Sequence, residues 1–284
     1  MINRLFYFLK QPDVNRHPVK AIVKRVLWKL HWLIKRKPVL LEGWYADLKI
    51  ILPKSGSAAQ VFYRRHSSIE IVRVMERILK PGDIVVDIGA HIGEYTLIAA
   101  YLVKPVGVVY AIEPQAECVN YIRQNCEING LKNVKVYQLA AGDLSGSVSF
   151  KRDPHSWGGL VVSDGGNLSV QSVRLDDFAE REGLKNIAFI KIDAAGNELA
   201  VLNGGTSLFT QPNPPMIVCK LYHPKVVKER FGYEAVEILE LLWEWGFKTK
   251  ALIENNTVEI TMDNYLKLFE GDVYGIPIFA WREK

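Results

Sequence analysis

Three acids and two glycines stand where strands should run into turns, and their order suits the binding of a small charged nucleoside. Val85-Val86-Asp87-Ile88-Gly89-Ala90-His91-Ile92-Gly93-Glu94 passes from an apolar strand through a glycine turn straight into a helix. Glycine lets the backbone approach a ligand closely. The helix start presents free N–H groups and a partial positive charge. Ala111-Ile112-Glu113-Pro114 then ends the next strand with an acid, 26 residues after Asp87. An acid in that place can accept both hydroxyls of a ribose.

The spacing bears on which nucleoside. Dinucleotide enzymes show G-x-G-x-x-G, so that a pyrophosphate rests on the turn. Here the turn reads G-x-x-x-G, with Asp87 two residues before the first glycine. That carboxylate would repel a pyrophosphate and suits a cationic ammonium group. The pattern favours S-adenosylmethionine over a nicotinamide cofactor, held by Asp87, Gly89, Ala90, His91, Gly93 and Glu113. The plainer alternative is that Gly89 and Gly93 only permit tight packing. Leu139-Ala140-Ala141-Gly142-Asp143 ends the third strand, and Ala140 and Ala141 are small enough to bring backbone groups to an adenine edge. Asp143 either meets the exocyclic amine or sits in a turn.

Methyl transfer to a hydroxyl gains from a general base beside the reacting oxygen. Asp193, at the end of a later strand, is the first candidate; its alternative role is to cap the helix that follows. His155 lies in the Gly-flanked run Asp153-Pro154-His155-Ser156-Trp157-Gly158-Gly159, either a loop that closes over a substrate or a plain surface loop. His223 follows the fifth strand and is placed to line the same pocket. Lys191 is expected to pair with an acid. No Cys/His spacing supports a zinc site, and no metal is predicted.

These residues need a frame. Strands are predicted at Ile84–Asp87, Gly107–Ile112, Val134–Gln138, Ile187–Asp193, Met216–Lys220, Phe247–Ile253 and Gly275–Trp281. Helices fall between most of them, at about Glu94–Val103, Gln115–Ile128, Gly196–Leu202 and Tyr233–Trp245. That alternation predicts an α/β, doubly wound, mostly parallel seven-stranded sheet. The last two strands lack a long helix between them, which suits an antiparallel closing strand. Short polar strands are expected at Val148–Lys151 and Leu168–Leu175. Upstream, residues 47–63 read as a small hairpin of Leu48–Leu52 with Gln60–Tyr63, and a helix runs from Ser68 to Leu79. The expected organisation is an extension over residues 1–67 and a catalytic domain over 68–284.

Composition sets the outer limits. Of 284 residues 49% are apolar, enough for a sizeable core, and three cysteines make no disulfide framework. A reducing, cytoplasmic setting follows. Residues 1–40 carry ten Lys/Arg and one acid, a charge of +9, while residues 41–284 carry 26 Lys/Arg and 30 acids, a charge of −4. Basicity confined to one arm is no argument for nucleic-acid binding. Residues 18–37 form an amphipathic helix, with Val19, Ile22, Val23, Val26, Leu27, Leu30, Leu33 and Ile34 on one stripe and cations around it. Such a helix either lies on an anionic membrane, as a peripheral contact, or packs on protein. No apolar run is long enough to span a bilayer.

KPGDIVVDIGAHIGEYTL (80–97), AIEP (111–114), SVRLDDF (172–178) and FIKIDAAGNELAVLNGG (189–205) together resemble the FkbM family of class I methyltransferases. The resemblance covers residues 68–250. It implies S-adenosylmethionine as cofactor and O-methylation of a hydroxyl, on a sugar, glycolipid or secondary metabolite. Two positions depart from the family's pattern: Ala195 stands where K-I-D-x-E-G has its glutamate, and the fifth strand ends in Lys220 rather than an acid. Glu198 either replaces that missing acid or is a solvated helix residue. His91 stands where the family often has asparagine. The cofactor half is matched and the acceptor half altered, so a non-catalytic S-adenosylmethionine-binding module is the alternative to an active enzyme.

Overall fold

The computed structural model describes residues 17–152, 159–162, 165–253, 256–270 and 274–283. They group into two units that divide between Ser67 and Ser68.

The first unit begins with a helix at Pro18–Ile34. Proline suits a helix start because the N–H it lacks would have no partner there. Trp28 is buried and packs against Trp32 and Phe62, with ring centroids 5.6 and 5.2 Å away. The stripe from Val19 to Ile34 faces outward instead: all eight of its apolar residues are exposed. Two strands follow, β1 (Val39–Tyr45) and β2 (Leu48–Leu52), paired antiparallel. The hairpin is thus real, but its partner strand precedes Leu48. Gln60–Tyr63 lies in a helix, Gly56–Arg64. Ser55 explains the switch: its Oγ accepts from Ala58 N at 3.1 Å, capping a segment rich in small, helix-favouring residues.

The second unit carries β3 (Ile84–Ile88), β4 (Val108–Ile112), β5 (Val134–Tyr137), β6 (Ala140–Gly142), β7 (Gly146–Arg152), β8 (Gly159–Val162), β9 (Leu168–Arg174), β10 (Ile187–Ile192), β11 (Met216–Tyr222), β12 (Lys248–Ile253), β13 (Asn256–Glu259) and β14 (Gly275–Trp281). Eight of them form one sheet in the order β13-β12-β14-β11-β10-β3-β4-β5. β5, β4, β3, β10 and β11 run parallel, and β14 inserts antiparallel between β11 and β12. The sheet therefore holds the seven predicted strands plus β13, a four-residue edge strand, all of it exposed, with no apolar period to announce it. The polar insert makes a separate sheet of order β6-β9-β7-β8.

Helices Glu94–Val103 and Ala116–Ile128 connect the parallel strands on one side of the order, and Glu198–Gly204 and Val236–Glu244 on the other. Phe178, Ile190, Phe209, Leu239 and Ile278 are wholly buried in the resulting core. Strand order reverses between β3 and β10, so a crevice opens at their carboxyl ends, the place where open α/β sheets bind ligands.

Candidate active site

Both predicted acid positions beside the glycine turn lie at that crevice. β3 delivers Asp87, then bends at Gly89 (φ 71°), His91 (φ 52°) and Gly93 (φ 91°) into the helix at Glu94. Gly89 N and Ala90 N both donate to Ile112 O, at 2.9 and 3.2 Å, which ties the turn to the end of β4. Glu113 sits there, buried, with one oxygen accepting from His91 N at 2.9 Å and the other from Gln115 N at 3.0 Å. Burial pushes its carboxyl up to about 7, against the opposing pull of those two N–H groups and of Lys191.

A buried carboxylate with one donor per oxygen has lone pairs to spare and gains from further donors. The two hydroxyls of a ribose are such donors. Gly93 supplies no side-chain cap to the helix it opens. These features fit the nucleoside of S-adenosylmethionine, which Gly89, Ala90, His91, Gly93 and Glu113 would hold.

Asp87 takes a different part from the one expected. It is 1% exposed, with Oδ2 accepting from Thr96 Oγ1 at 2.6 Å and Oδ1 lying 3.1 Å from Lys191 Nζ. Lys191 also donates to Gly89 O (2.8 Å) and Ile88 O (3.2 Å). A carboxylate paired and enclosed this way holds the turn in shape. Lys191 pairs with an acid as its position suggested.

Ala140 and Ala141 are buried in β6, pairing with Ser172 and Val173 of β9, and Ala141 O accepts from Asn197 Nδ2 at 3.0 Å. Glu113 N donates to Tyr137 O at 3.1 Å, so this segment starts next to the Glu113 end of the sheet.

Asp193 closes β10 beside the turn. Its N–H donates to Ile88 O at 3.1 Å, and a Cβ on Gly89 would stand 1.9 Å from Asp193 O. The two backbones touch at a point only glycine allows. Asp193 Oδ1 accepts from Tyr222 Oη at 2.9 Å, and Oδ2 faces Lys220 Nζ at 3.6 Å, both side chains about a third exposed. Burial favours the neutral acid here, yet the Lys220 and Lys191 cations and the Tyr222 hydroxyl outweigh it and lower the carboxyl below its usual range. A base of lowered affinity for protons is a weak general base.

His223 serves elsewhere. Its Nδ1 accepts from Lys225 N at 3.1 Å, capping the helix Pro224–Phe231. His155 lies outside the described residues.

Tyr222 and Thr96 escaped the sequence reading; Glu198 did not, and its burial excludes the solvated one of its two expected roles. Tyr222 orients Asp193. Thr96 holds Asp87 from the first turn of its helix. Glu198 is wholly buried and grips the bend between β10 and its helix, accepting from Ala194 N (2.7 Å) and Gly196 N (3.2 Å). Burial and the nearby Asp193 raise its carboxyl to about 8. Its place two residues after Gly196 was the available signal, since an acid in the first turn of a helix can reach back to free N–H groups. Among the described residues no cluster of three or more His, Cys, Asp or Glu could hold a metal ion.

The sheet order and the glycine turn with its neighbouring acid define a class I S-adenosylmethionine-dependent methyltransferase. Residues 87–249 match the methyltransferase FkbM domain, and the chain belongs to that family. The hexuronic acid methyltransferase AglP of Haloferax volcanii is 23% identical over 204 residues, covering 68% of this chain and 81% of that one. The 2-O-methyltransferase NoeI of Sinorhizobium fredii is 26% identical over 165 residues, covering 51% and 67%. A solved FkbM methyltransferase from Methylobacillus flagellatus aligns with a TM-score of 0.44 at 15% identity, covering 79% of this chain and 54% of that one.

Proposed function

We propose that this methyltransferase acts on an oxygen of a sugar, with Asp193 and Lys220 at the acceptor. The carrying observation is the contact between Gly89 and the Asp193 backbone, which brings the acceptor-side acid against the cofactor turn. The activities for which AglP and NoeI are named, on a hexuronic acid and on a 2-oxygen, support a sugar acceptor.

S-adenosylmethionine supplies a methyl group made electrophilic by its cationic sulfur. The residues of the chain do the rest. Glu113 receives the ribose, and the turn at 89–93 sets the direction of the nucleoside. Asp193, fixed by Tyr222 and Lys220, accepts a hydrogen bond from the acceptor hydroxyl; weak base though it is, it takes the proton once bonding of the oxygen to the methyl group makes that proton acidic. Positioning supplies most of the rate in such an in-line displacement. Lys220 adds a cation beside the acceptor and so favours an anionic sugar. The test is transfer of labelled methyl onto matched neutral and uronic acid glycosides. Label on neither, with S-adenosylhomocysteine still bound, would favour the binding-module alternative.

We further propose that residues 18–37 make a peripheral contact with a membrane surface. Support comes from the exposed apolar stripe with cations on its borders, the chemistry of an interfacial helix. No helix among the described residues is long and apolar enough to cross a membrane. Flotation with phosphatidylglycerol vesicles tests the contact, and Val26→Asp with Leu30→Asp should abolish it.

A further inference from the structure

The helix Pro18–Ile34 carries a second feature beside its apolar stripe. A cleft of about 760 Å3 opens within the first unit, a size that suits a small ligand. Three aromatic rings line it, those of Trp28, Trp32 and Tyr63. Three cations join them, Lys29, Arg36 and Lys54, with Leu33 completing the wall and no acid among the lining residues.

Two observations mark the cleft as unfilled chemistry. The Trp32 indole N–H is buried without a hydrogen-bond partner, although buried donors are normally paired. Lys29, Arg36 and Lys54 form no ion pair among the described residues. Their neighbours differ: Lys24 donates to Tyr63 O at 2.7 Å, and Arg25 lies 4.6 Å over the Tyr63 ring. The cleft is thus lined by three cations and three aromatic side chains, and one of those side chains carries an unpaired buried donor.

Leu33 belongs to both the cleft wall and the exposed stripe. A bilayer lying on the stripe would bring its headgroup layer to the mouth of the cleft. We propose that the cleft binds the phosphoryl headgroup of an anionic phospholipid, with Lys29, Arg36 and Lys54 around the phosphate oxygens and the Trp32 N–H donating to one of them. Arginine and lysine make short, charge-assisted bonds to such oxygens. The glycerol portion lies against Trp28 and Tyr63. The proposal deepens the membrane-contact reading, yet it concerns a discrete site with its own ligand.

Short-chain lipids separate the two. The full chain is titrated by calorimetry with monomeric dihexanoyl phosphatidic acid, dihexanoyl phosphatidylcholine and inorganic phosphate. Phosphatidic acid should bind, and the other two at least about tenfold more weakly. Arg36→Gln with Lys54→Gln should weaken phosphatidic acid about tenfold or more, with S-adenosylhomocysteine affinity unchanged. Both side chains are exposed, so folding is not at stake. Trp32→Phe, which keeps a ring and removes the donor, should also weaken it. Val26→Asp with Leu30→Asp should leave this binding intact. No binding by the wild type, or equal binding by the Arg36/Lys54 variant, overturns the proposal. Inorganic phosphate bound as tightly as phosphatidic acid overturns it too, making the cleft a free-phosphate site. Wild-type protein that binds the short-chain lipid but does not float with vesicles supports the cleft and retires the membrane reading alone.

Discussion

Lys191 and Asp87 are register partners on neighbouring parallel strands, and their side chains meet as a 3.1 Å ion pair inside the protein, 4% and 1% exposed. The pair lies under the glycine turn, and Lys191 carries on to the carbonyl of Gly89. Electrostatics buried this deeply serve shape: the ammonium group holds the turn closed from below.

Breaking the pair should therefore unfold the site. Lys191→Met leaves Asp87 charged and uncompensated, at a cost of about 3–5 kcal/mol. Urea unfolding measures it. Adding Asp87→Asn should recover much of that stability without restoring S-adenosylhomocysteine affinity, because the turn's support is still missing.

Glu113 makes cofactor binding sensitive to pH. Its carboxyl titrates near 7 in the fold against an ordinary value of 4.5. Between those values the unfolded chain has released the proton and the folded one still holds it. Stability without cofactor should fall as pH rises through that window, by up to about 3 kcal/mol for this group. Ribose hydroxyls donate to the charged form and lower the value again. Binding of S-adenosylhomocysteine at pH 6.5 should release protons, seen as a buffer-dependent heat, and Glu113→Gln should abolish the release and weaken binding about tenfold or more.

The left-handed backbone at His91 separates substitutions by shape. Asparagine tolerates φ 52° and should retain both fold and affinity. A β-branched residue does not, and His91→Val should lose about 1–2 kcal/mol in thermal unfolding, with weaker cofactor binding. Equal behaviour of the two variants would mean that the turn relaxes.

At the acceptor side, Lys220→Met removes the nearer cation from Asp193. The Asp193 carboxyl should rise toward its ordinary range once that cation is gone, less if solvent screens the exposed pair. The acidic limb of the kcat/KM profile should shift up with it. Preference for a uronic acid glycoside over its neutral counterpart should shrink, while S-adenosylhomocysteine binding stays as it was.

Much of this was legible in the residues themselves. The apolar strands, the Gly89–Gly93 turn and the Glu113 strand end carry local signals, and the fold brings them together. Long-range partners leave no such trace. Nothing near Asp87 in sequence says that Lys191 will neutralise it, or that Tyr222 will reach Asp193 across the sheet. His223 looked like a pocket residue because composition cannot distinguish a cap from a base; the proline after it, at a helix start, was the telling neighbour. The misplaced hairpin has a similar cause. Gln60–Tyr63 holds β-favouring Val61, Phe62 and Tyr63, and the helix capped by Ser55 through its hydrogen bond to Ala58 overrides that preference.

The close approach of residue 89 to the Asp193 carbonyl also bears on how new specificities could be engineered. A library aimed at unfamiliar acceptors can vary side chains around the mouth of β11, apart from Lys220 and Tyr222, which hold Asp193. It has to leave the junction itself glycine, because bulk added there would distort the nucleoside grip and the reaction end in one stroke.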